Sequence, residues 1–458
     1  MTGRGEISSR VDFPRTLDRL HAPASVKEIV ARLERAGFET WCVGGAVRDA
    51  LIGEEHLDWD LATAATPRQV ASVFQRTVPL GVEFGTVGVV VQGNVMHEVT
   101  TFRRDVRSDG RHAVVEFGAS LEEDLARRDF TVNAIAFHPR TDEVRDPFQG
   151  QVDLERGILR AVGAPSERMR EDRLRALRAI RFAARFRLHI DPSTWDAIVE
   201  SAPHLTRLSP ERVRQELRKT MEQVERPSVA LEWWRSVGAL RSLVPVIADA
   251  PSERFEALDH LPRAAGAGNL AGTGGGGTRG ATLSRLSMLF FGESGAATTI
   301  ATKALRFSNA ESSWIAHLAQ AQHELRDTID SALKSATTHE AHRVRRWVAR
   351  IGRTRADAFF ALYGALWKAK LGRVPDALLA ARLDGLVGLA TKIAFHDPLD
   401  VADLAVDGED LMSTGIPGGP TIGIILGRLI DDVLDDPARN TREHLLGMAD
   451  RLARTIKR

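Results

Sequence analysis

The pattern of apolar residues changes along this chain of 458 residues, and the change limits the possible folds. In the first 150 residues or so, short β-prone runs such as 40–43, 86–91, 95–102 and 131–137 alternate with helical segments. Beyond Arg168, strand patterns nearly vanish, and Leu-, Ala- and Arg-rich segments with a 3.6-residue period follow. The sequence therefore predicts an α+β protein, with a small mixed sheet first and helices in the remaining two thirds.

The same change of pattern predicts four parts. A head with the mixed sheet is expected at 20–155, a helical neck at 156–247, a helical body at 248–390 and a helical tail at 391–458. Within the body, the segment 264–282 reads AAGAGNLAGTGGGGTRGAT and has almost nothing to bury, which predicts a flexible insert. No lysine follows its glycines, so it is not a phosphate-binding loop of the Walker A type.

Composition narrows the class of protein further. No apolar run approaches the roughly 18 to 20 residues that a membrane span needs, so no membrane association is expected. The single cysteine, Cys42, excludes an intramolecular disulfide and a cysteine-based metal site, and makes the cytoplasm the expected location. Lys and Arg number 62 against 61 Asp and Glu, so the net charge does not by itself indicate a nucleic-acid partner.

Charge is nevertheless segregated along the C-terminal part. The segment 343–373 carries nine Lys and Arg against one Asp, whereas 393–436 carries ten Asp and Glu against one Arg. A solvated helical face and a contact with nucleic acid both remain open for the basic segment. Within it, Arg345, Arg346 and Arg350 are the candidate RNA-binding residues.

Two short motifs near the N-terminus indicate chemistry on phosphates. A strand runs into Gly44 and Gly45, where backbone N–H groups can approach a phosphate. Downstream, Asp58 and Asp60 are spaced so that on a strand their side chains leave the same face, about 7 Å apart along the chain. Such carboxylates suit Mg²⁺, and two such ions can hold the attacking and leaving oxygens of a nucleotidyl transfer.

A third motif, Glu171-Asp172-Arg173-Leu174-Arg175, offers a way to select nucleobases. If Asp172 and Arg175 lie on one helix they are neighbours, presenting a hydrogen-bond acceptor beside a donor. Cytosine and adenine both carry an amino donor beside a ring-nitrogen acceptor and fit such a pair, whereas uracil and guanine have the reverse arrangement. The alternative is a simple intrahelical salt bridge.

Several motifs in succession resemble those of the class II tRNA nucleotidyltransferases, within the superfamily that includes DNA polymerase β. The motifs are GGAVRD at 44–49, DWD at 58–60, EVTTFR at 98–103, DGRH at 109–112, EEDLARRDFTVNAIA at 122–136, DPFQGQVDL at 146–154, REDRLRALRAIRFAARF at 170–186, SPERVRQEL at 209–217, DGEDLM at 407–412 and GPTIGIIL at 419–426.

This resemblance implies a polymerase-β-like head that transfers CMP and AMP from CTP and ATP to the 3′ end of tRNA, with Mg²⁺ and without a nucleic-acid template. The neck would recognise the base and the tail would contact tRNA. Asp58 and Asp60 would bind the metal, and Glu98 would be a third carboxylate, although a solvent-facing role is equally open. The implied nucleotide-binding residues are Gly45, Arg48, Arg128, Asp129, Asn133, Asp172, Arg175, Arg178 and Arg181.

Alternatives within and outside this family stay open. The segment 80–89, LGVEFGTVGV, resembles the CCA-adding pattern and lacks the basic run of the related bacterial poly(A) polymerases. The loop 103–120 is close to full length, which favours complete CCA addition over the partial CC-adding or A-adding enzymes. An inactive RNA-binding protein is a further alternative, against which the retained carboxylates argue. The sequence leaves the oligomeric state open.

Overall fold

A computed structural model describes residues 20–54, 59–108, 113–263, 277–334, 340–372 and 377–456. Contacts within the chain divide it into two compact units, with the boundary between Ala248 and Asp249. Asp58, the DGRH segment and residues 264–276 of the predicted glycine-rich insert lie outside the described ranges.

The N-terminal unit is built on a seven-stranded mixed sheet with the strand order β3-β4-β5-β2-β1-β8-β9. Its strands are β1 Thr40–Val43, β2 Asp60–Thr63, β3 Thr77–Gly81, β4 Thr86–Val90, β5 Met96–Thr101, β8 Ala136–His138 and β9 Glu143–Arg145. Two small ladders, β6 Arg103–Ser108 with β7 Ala113–Phe117 and β10 Ile158–Leu159 with β11 His189–Ile190, stand apart from it. Only β2 and β5 run parallel within the large sheet; its other neighbouring strands are antiparallel.

The predicted strands at 40–43, 86–91 and 95–102 are confirmed, the last two as the antiparallel pair β4 and β5. The prediction of a strand over 131–137 is wrong in its first half, where Thr131–Asn133 forms a 3-10 turn. Thr131 is held there by tertiary contacts, because its hydroxyl donates to Asp153 Oδ2 at 2.7 Å and its N–H donates to the carbonyl of Arg160. These contacts override the local preference of a β-branched residue.

Helices surround the sheet and then continue through the rest of the unit. They are α1 Ala24–Arg35, α2 Gly45–Leu51, α3 Pro67–Val73, α4 Leu121–Ala126, α5 Gly150–Glu155, α6 Pro165–Glu171, α7 Leu174–Phe186, α8 Pro192–Ser201, α9 Pro210–Gln223, α10 Pro227–Ser236 and α11 Ala239–Leu243. In α1 the helical spacing of Val26, Ile29, Val30 and Leu33 buries all four. The helix ends before Gly37, whose φ of 88° suits a residue without a side chain.

The second unit contains only helices among its described named elements, so the predicted α+β class is confirmed. They are α12 Ser252–Asp259, α13 Gly277–Phe290, α14 Gly295–Ala304, α15 Asn309–Lys334, α16 Ala341–Ile351, α17 Ala356–Leu371, α18 Ala377–His396, α19 Gly408–Ser413, α20 Pro420–Asp435 and α21 Arg442–Ile456. Because α13 begins at Gly277, the end of the predicted flexible insert is helical, which corrects that prediction. No helix in the described ranges has the length and apolar character needed to cross a membrane.

Candidate active site

A cavity of about 630 Å³ lies within the N-terminal unit and is lined mainly by charged side chains. The two glycines of the first motif, Gly44 and Gly45, also form part of its wall. Its carboxylates are Asp60, Glu98, Asp124, Asp129 and Asp172, and its arginines are Arg48, Arg103, Arg127, Arg128, Arg175 and Arg178. Residues from the head motifs and from the predicted neck therefore meet in one place.

Asp60 and Glu98 reach this cavity from neighbouring strands. The parallel register of β2 and β5 pairs Leu61 with Val99, so Asp60 and Glu98 each come one residue before a paired position. Along β5, His97 and Val99 are buried while Glu98 is exposed, as the alternation of side chains along a β-strand requires. The described residues include no cluster of three or more His, Cys, Asp or Glu that could hold a metal, but Asp58 is not among them.

Gly44 makes room for an arginine beside Asp60. Its φ of 78° and ψ of −131° are accessible to glycine and costly for other residues. A Cβ at Gly44 would lie 2.8 Å from Arg128 Nη1 and 4.0 Å from Asp60 Oδ2. Arg128 is fixed by ion pairing to Asp124 at 3.1 Å and by donating to the carbonyl of Asn133. The first glycine motif thus allows a guanidinium to approach the carboxylate.

Asp129 and Asn133, four residues apart, are brought together through the 3-10 turn Thr131–Asn133. Asn133 Nδ2 donates to Asp129 Oδ1 at 2.9 Å, and Arg178 donates to Asp129 Oδ2 at 2.6 and 2.8 Å. Burial alone would raise the pKa of Asp129, but the charge of Arg178 and the hydrogen bonds from Asn133 and Arg178 lower it to about 2. Asp129 is therefore a firmly ionised carboxylate in the cavity wall.

Arg48 is buried behind this pair and supports it. Its guanidinium donates to Asp49 Oδ1 at 2.6 and 2.8 Å and also to Asn133 Oδ1, which orients the amide toward Asp129. The guanidinium carbon lies 4.4 Å from the ring centroid of Phe186, a cation–π distance. Only 3% of Arg48 is exposed, so most of its donors are committed to the protein although the residue lines the cavity.

Asp172 and Arg175 both line the cavity, but the prediction that they lie on one helix is wrong. Helix α6 ends at Glu171 and α7 begins at Leu174, with Asp172 between them in an extended conformation. The Asp172 carboxylate accepts from the N–H of Leu174 at 3.0 Å, a local bond that competes with a continuous helix.

The side chains of Asp172 and Arg175 also have separate hydrogen-bonding partners. Asp172 accepts a hydrogen bond from Arg212 at 2.7 Å, whereas Arg175 donates to Glu171 at 2.6 Å and to the carbonyls of Arg168 and Arg127. The intrahelical Asp172–Arg175 salt bridge, the alternative interpretation of the motif, is therefore not formed.

Arg181 does not line the cavity, so its predicted contact with the nucleotide stays a prediction that the structure does not support. Its side chain is 3% exposed and donates to Glu216 at 2.7 Å and to Gln223 at 2.8 Å, and Glu216 is 2% exposed. Burial lowers the pKa of the Arg181 guanidinium, in keeping with a charge removed from water. Arg178, one turn earlier on α7, does line the cavity.

The candidate RNA-binding arginines in the second unit are paired with carboxylates. Arg345 is 6% exposed and donates to Asp397 at 2.7 Å and to a backbone carbonyl of α20, so its burial and partners do not support the predicted contact with RNA phosphates. Arg346 pairs with Asp435 and Arg350 with Glu324, and both arginines are exposed by more than 40%. For these two residues the RNA contact stays a prediction.

Some residues of the cavity were not among the predicted ones. Asp124 and Arg127 lie in a motif that carried the resemblance, and the spacing of Asp124 and Arg128 is that of a helical ion pair. Arg212, which does not line the cavity but donates to Asp172, lies in the SPERVRQEL motif, whose sequence gives no signal of that contact. Phe182 has an apolar side chain in a helix that was expected to bury such residues, so its place in the cavity wall had no signal either.

Comparison with known families matches the part of the cavity wall that lies between Val43 and Asn133, whereas the lining residues between Asp172 and Phe182 fall outside the matched ranges. Residues 40–160 match the family model described as "Poly A polymerase head domain", and residues 187–254 match "Probable RNA and SrmB- binding site of polymerase A". A CCA-adding enzyme of Streptococcus suis is 46% identical over 186 residues, which cover 40% of this chain and 46% of that enzyme. One of Geobacillus kaustophilus is 46% identical over 195 residues, covering 42% and 48%. The chain thus spans about half the length of the curated relatives it matches.

Solved structures extend the similarity of fold over nearly the whole chain. The CCA-adding enzyme of Bacillus stearothermophilus in complex with CTP has a TM-score of 0.65 at 26% identity, covering 94% of this chain and 98% of that one. The Thermotoga maritima CCA-adding enzyme complexed with tRNA has a TM-score of 0.61 at 21% identity, covering 95% and 98%. In sequence over its first half and in fold over nearly its whole length, the chain is therefore similar to CCA-adding enzymes.

Proposed function

We propose that this protein transfers CMP and AMP from CTP and ATP to the 3′ end of tRNA without a nucleic-acid template, and so adds or repairs the CCA terminus. The observation that carries the proposal is that one cavity contains both Asp60 and Glu98 and the hydrogen-bonding residues Asp172 and Arg175. Reaction chemistry and base selection can then take place in a single site. The CCA-adding relatives support the same activity.

Base selection would rest on donors and acceptors that remain available. Of the five N–H donors of Arg175, three are used by Glu171 and two backbone carbonyls, which leaves the Nε–H and one Nη2–H for a base. The Asp172 carboxylate accepts two hydrogen bonds and has lone pairs to spare. Cytosine N4 and adenine N6 would donate to Asp172, while cytosine N3 and adenine N1 would accept from Arg175.

The triphosphate would be bound by arginines of the cavity. Arg128 and Arg178 line the wall and are each held by a carboxylate, Asp124 and Asp129 respectively, so their guanidinium groups are positioned before substrate arrives. The side chain of Glu98 has no hydrogen-bond or ion-pair partner among the described residues, and its carboxylate would accept the proton of the RNA 3′-hydroxyl. Its place on the strand beside Asp60 puts that proton acceptor next to the phosphate-binding wall.

The metal would be Mg²⁺. Carboxylate oxygens suit this hard cation, which proteins commonly hold by one or two carboxylates together with substrate phosphates, and Asp60 with Asp58 would supply them. When bound, the ion would neutralise negative charge that develops on the phosphate oxygens.

The cytoplasmic location and the division into head, neck, body and tail also stay proposals.

The decisive experiment supplies tRNAs that end at the discriminator base, at C and at CC with CTP and ATP, separately and together. We expect addition of C, C and A in that order, and no product in EDTA until Mg²⁺ is restored. Asp60→Asn should lower incorporation at least about 1000-fold while CTP binding and folding persist, because the change keeps shape but removes charge. Glu143→Gln, the same kind of change on β9 of the same sheet outside the cavity, should have no effect. Normal turnover by Asp60→Asn would overturn the proposal.

The matched family description favours one second candidate, a poly(A) polymerase. That enzyme would use ATP alone and add many residues to RNAs that do not end in CC. The partial CC-adding and A-adding activities are separated by the same reactions, because each would stop at one defined step of the series.

A further inference from the structure

The carboxylate of Asp172 is held by two donors that come from different parts of the chain. Oδ1 accepts from the N–H of Leu174 at 3.0 Å, and Oδ2 accepts from Arg212 Nη2 at 2.7 Å. Leu174 is two residues away, but Arg212 is 40 residues away, in the first turn of α9. Arg212 therefore ties a separate helix to the break between α6 and α7.

Arg212 does not line the cavity, and its backbone is fixed at the start of α9. The backbone N–H of Arg212 donates to the hydroxyl and to the carbonyl of Ser209, the residue that caps the N-terminus of α9. The side chains of Arg212 and Asp172 are 32% and 30% exposed, so the pair lies at the edge of the cavity rather than in the core. Arg212 can thus act on a bound nucleotide through Asp172.

We propose that Arg212 is a positioning residue for nucleotide selection, because it sets the orientation of the Asp172 carboxylate toward the base; this inference rests on the function proposed above. The last torsion of an aspartate is broad, so one hydrogen bond from Leu174 leaves the plane of the carboxylate loosely defined. A second bond, from Arg212 to the other oxygen, defines that plane. The acceptor that distinguishes an amino group from a carbonyl group then has a fixed direction.

The partners of Arg175 make this role specific to Asp172. Arg175 is held by Glu171 and by the carbonyls of Arg168 and Arg127, and Arg212 takes no part in these three hydrogen bonds. Loss of Arg212 should therefore free the carboxylate of Asp172, the acceptor for the base, and leave Arg175, the donor, in place. If Arg212 served only as a partly exposed ion pair, its loss would change stability slightly and selectivity not at all.

The experiment measures kcat/KM for CTP, ATP, UTP and GTP on a tRNA ending at the discriminator base or at CC. Arg212→Ala should lower the preference for CTP over UTP by about tenfold, because it weakens one base contact without removing it. Arg212→Lys, which keeps the charge and a donor, should give an intermediate preference. Arg214→Ala is the matched control, since Arg214 lies on the same helix and does not line the cavity, and its side chain has no hydrogen bond or ion pair among the described residues.

A double-mutant cycle separates positioning from a merely structural effect. In the Asp172→Ala background, Arg212→Ala should cause no further loss of selectivity, because the group through which it acts is gone. The inference is overturned if Arg212→Ala or, should that variant not fold, Arg212→Lys keeps the CTP over UTP preference of the parent. An equal decrease for all four nucleotides would overturn it as well. A parent enzyme that does not prefer CTP and ATP would instead refute the proposed function itself.

Discussion

Arg178 and Arg181 lie three residues apart on α7, yet the structure predicts opposite consequences for their loss. Arg181 forms two hydrogen bonds with Glu216 and one with Gln223, and both members of the ion pair are at most 3% exposed. Arg181→Ala would leave the Glu216 carboxylate buried without its charge partner. Breaking a buried pair in this way costs about 3 to 5 kcal/mol.

For a unit of this size such a loss corresponds to a decrease in Tm of about 10 °C. Calorimetry of the full chain measures it, with CTP binding followed below the transition. Arg178→Ala should instead weaken CTP binding with a smaller change in Tm, because its side chain is 30% exposed at the cavity. Arg181→Met combined with Glu216→Leu should recover most of the stability, since apolar residues of similar volume can replace a buried pair. If Arg181→Ala kept its Tm and lost CTP binding, Arg181 would be a nucleotide contact and the reasoning would be refuted.

Three further expectations concern other contacts. Gly44→Ala should lower the free energy of unfolding by about 1 to 3 kcal/mol, because the residue has a positive φ. It should also raise the KM for CTP, because the new Cβ would meet Arg128, and unchanged kinetics would contradict this. The pKa of Asp129 in the folded protein is about 2, below its ordinary value. Ionised Asp129 therefore contributes about 2 kcal/mol to the free energy of unfolding above pH 4, and this contribution is lost as the pH falls toward 2. Urea unfolding of Asp129→Asn should lack that part of the pH dependence; a curve parallel to the parent's would refute the assignment. Replacing Arg346 and Arg350 with alanine should weaken tRNA binding and make the slope of log K against log salt concentration shallower by about one unit. The expected change is this small because each guanidinium already shares its charge with a carboxylate. An unchanged slope would mean that both arginines serve as ion pairs alone.

Local patterns in the sequence were sufficient for the elements that depend on near neighbours. The strand Thr40–Val43, the β4–β5 pair around Gly93 and Asn94, and the helical second unit all follow from periodicity and turn residues. The alternation along β5 also places Glu98 on the exposed face. The residue types in the head motifs indicated chemistry on phosphates, because carboxylates, glycines and arginines have few other reasons to recur at such spacings.

The tertiary structure alone decided which charges are available to a substrate. Arg345 and Asp397 are 52 residues apart, and Arg346 and Asp435 are 89 apart, so the basic and acidic segments of the sequence neutralise one another in part when folded. Arg178 and Arg181 have the same local spacing, but packing of α9 against α7 buries one and leaves the other at the cavity. An arginine has the same chemistry wherever it stands in a sequence, and its function depends on the carboxylate that the fold brings within about 3 Å of it.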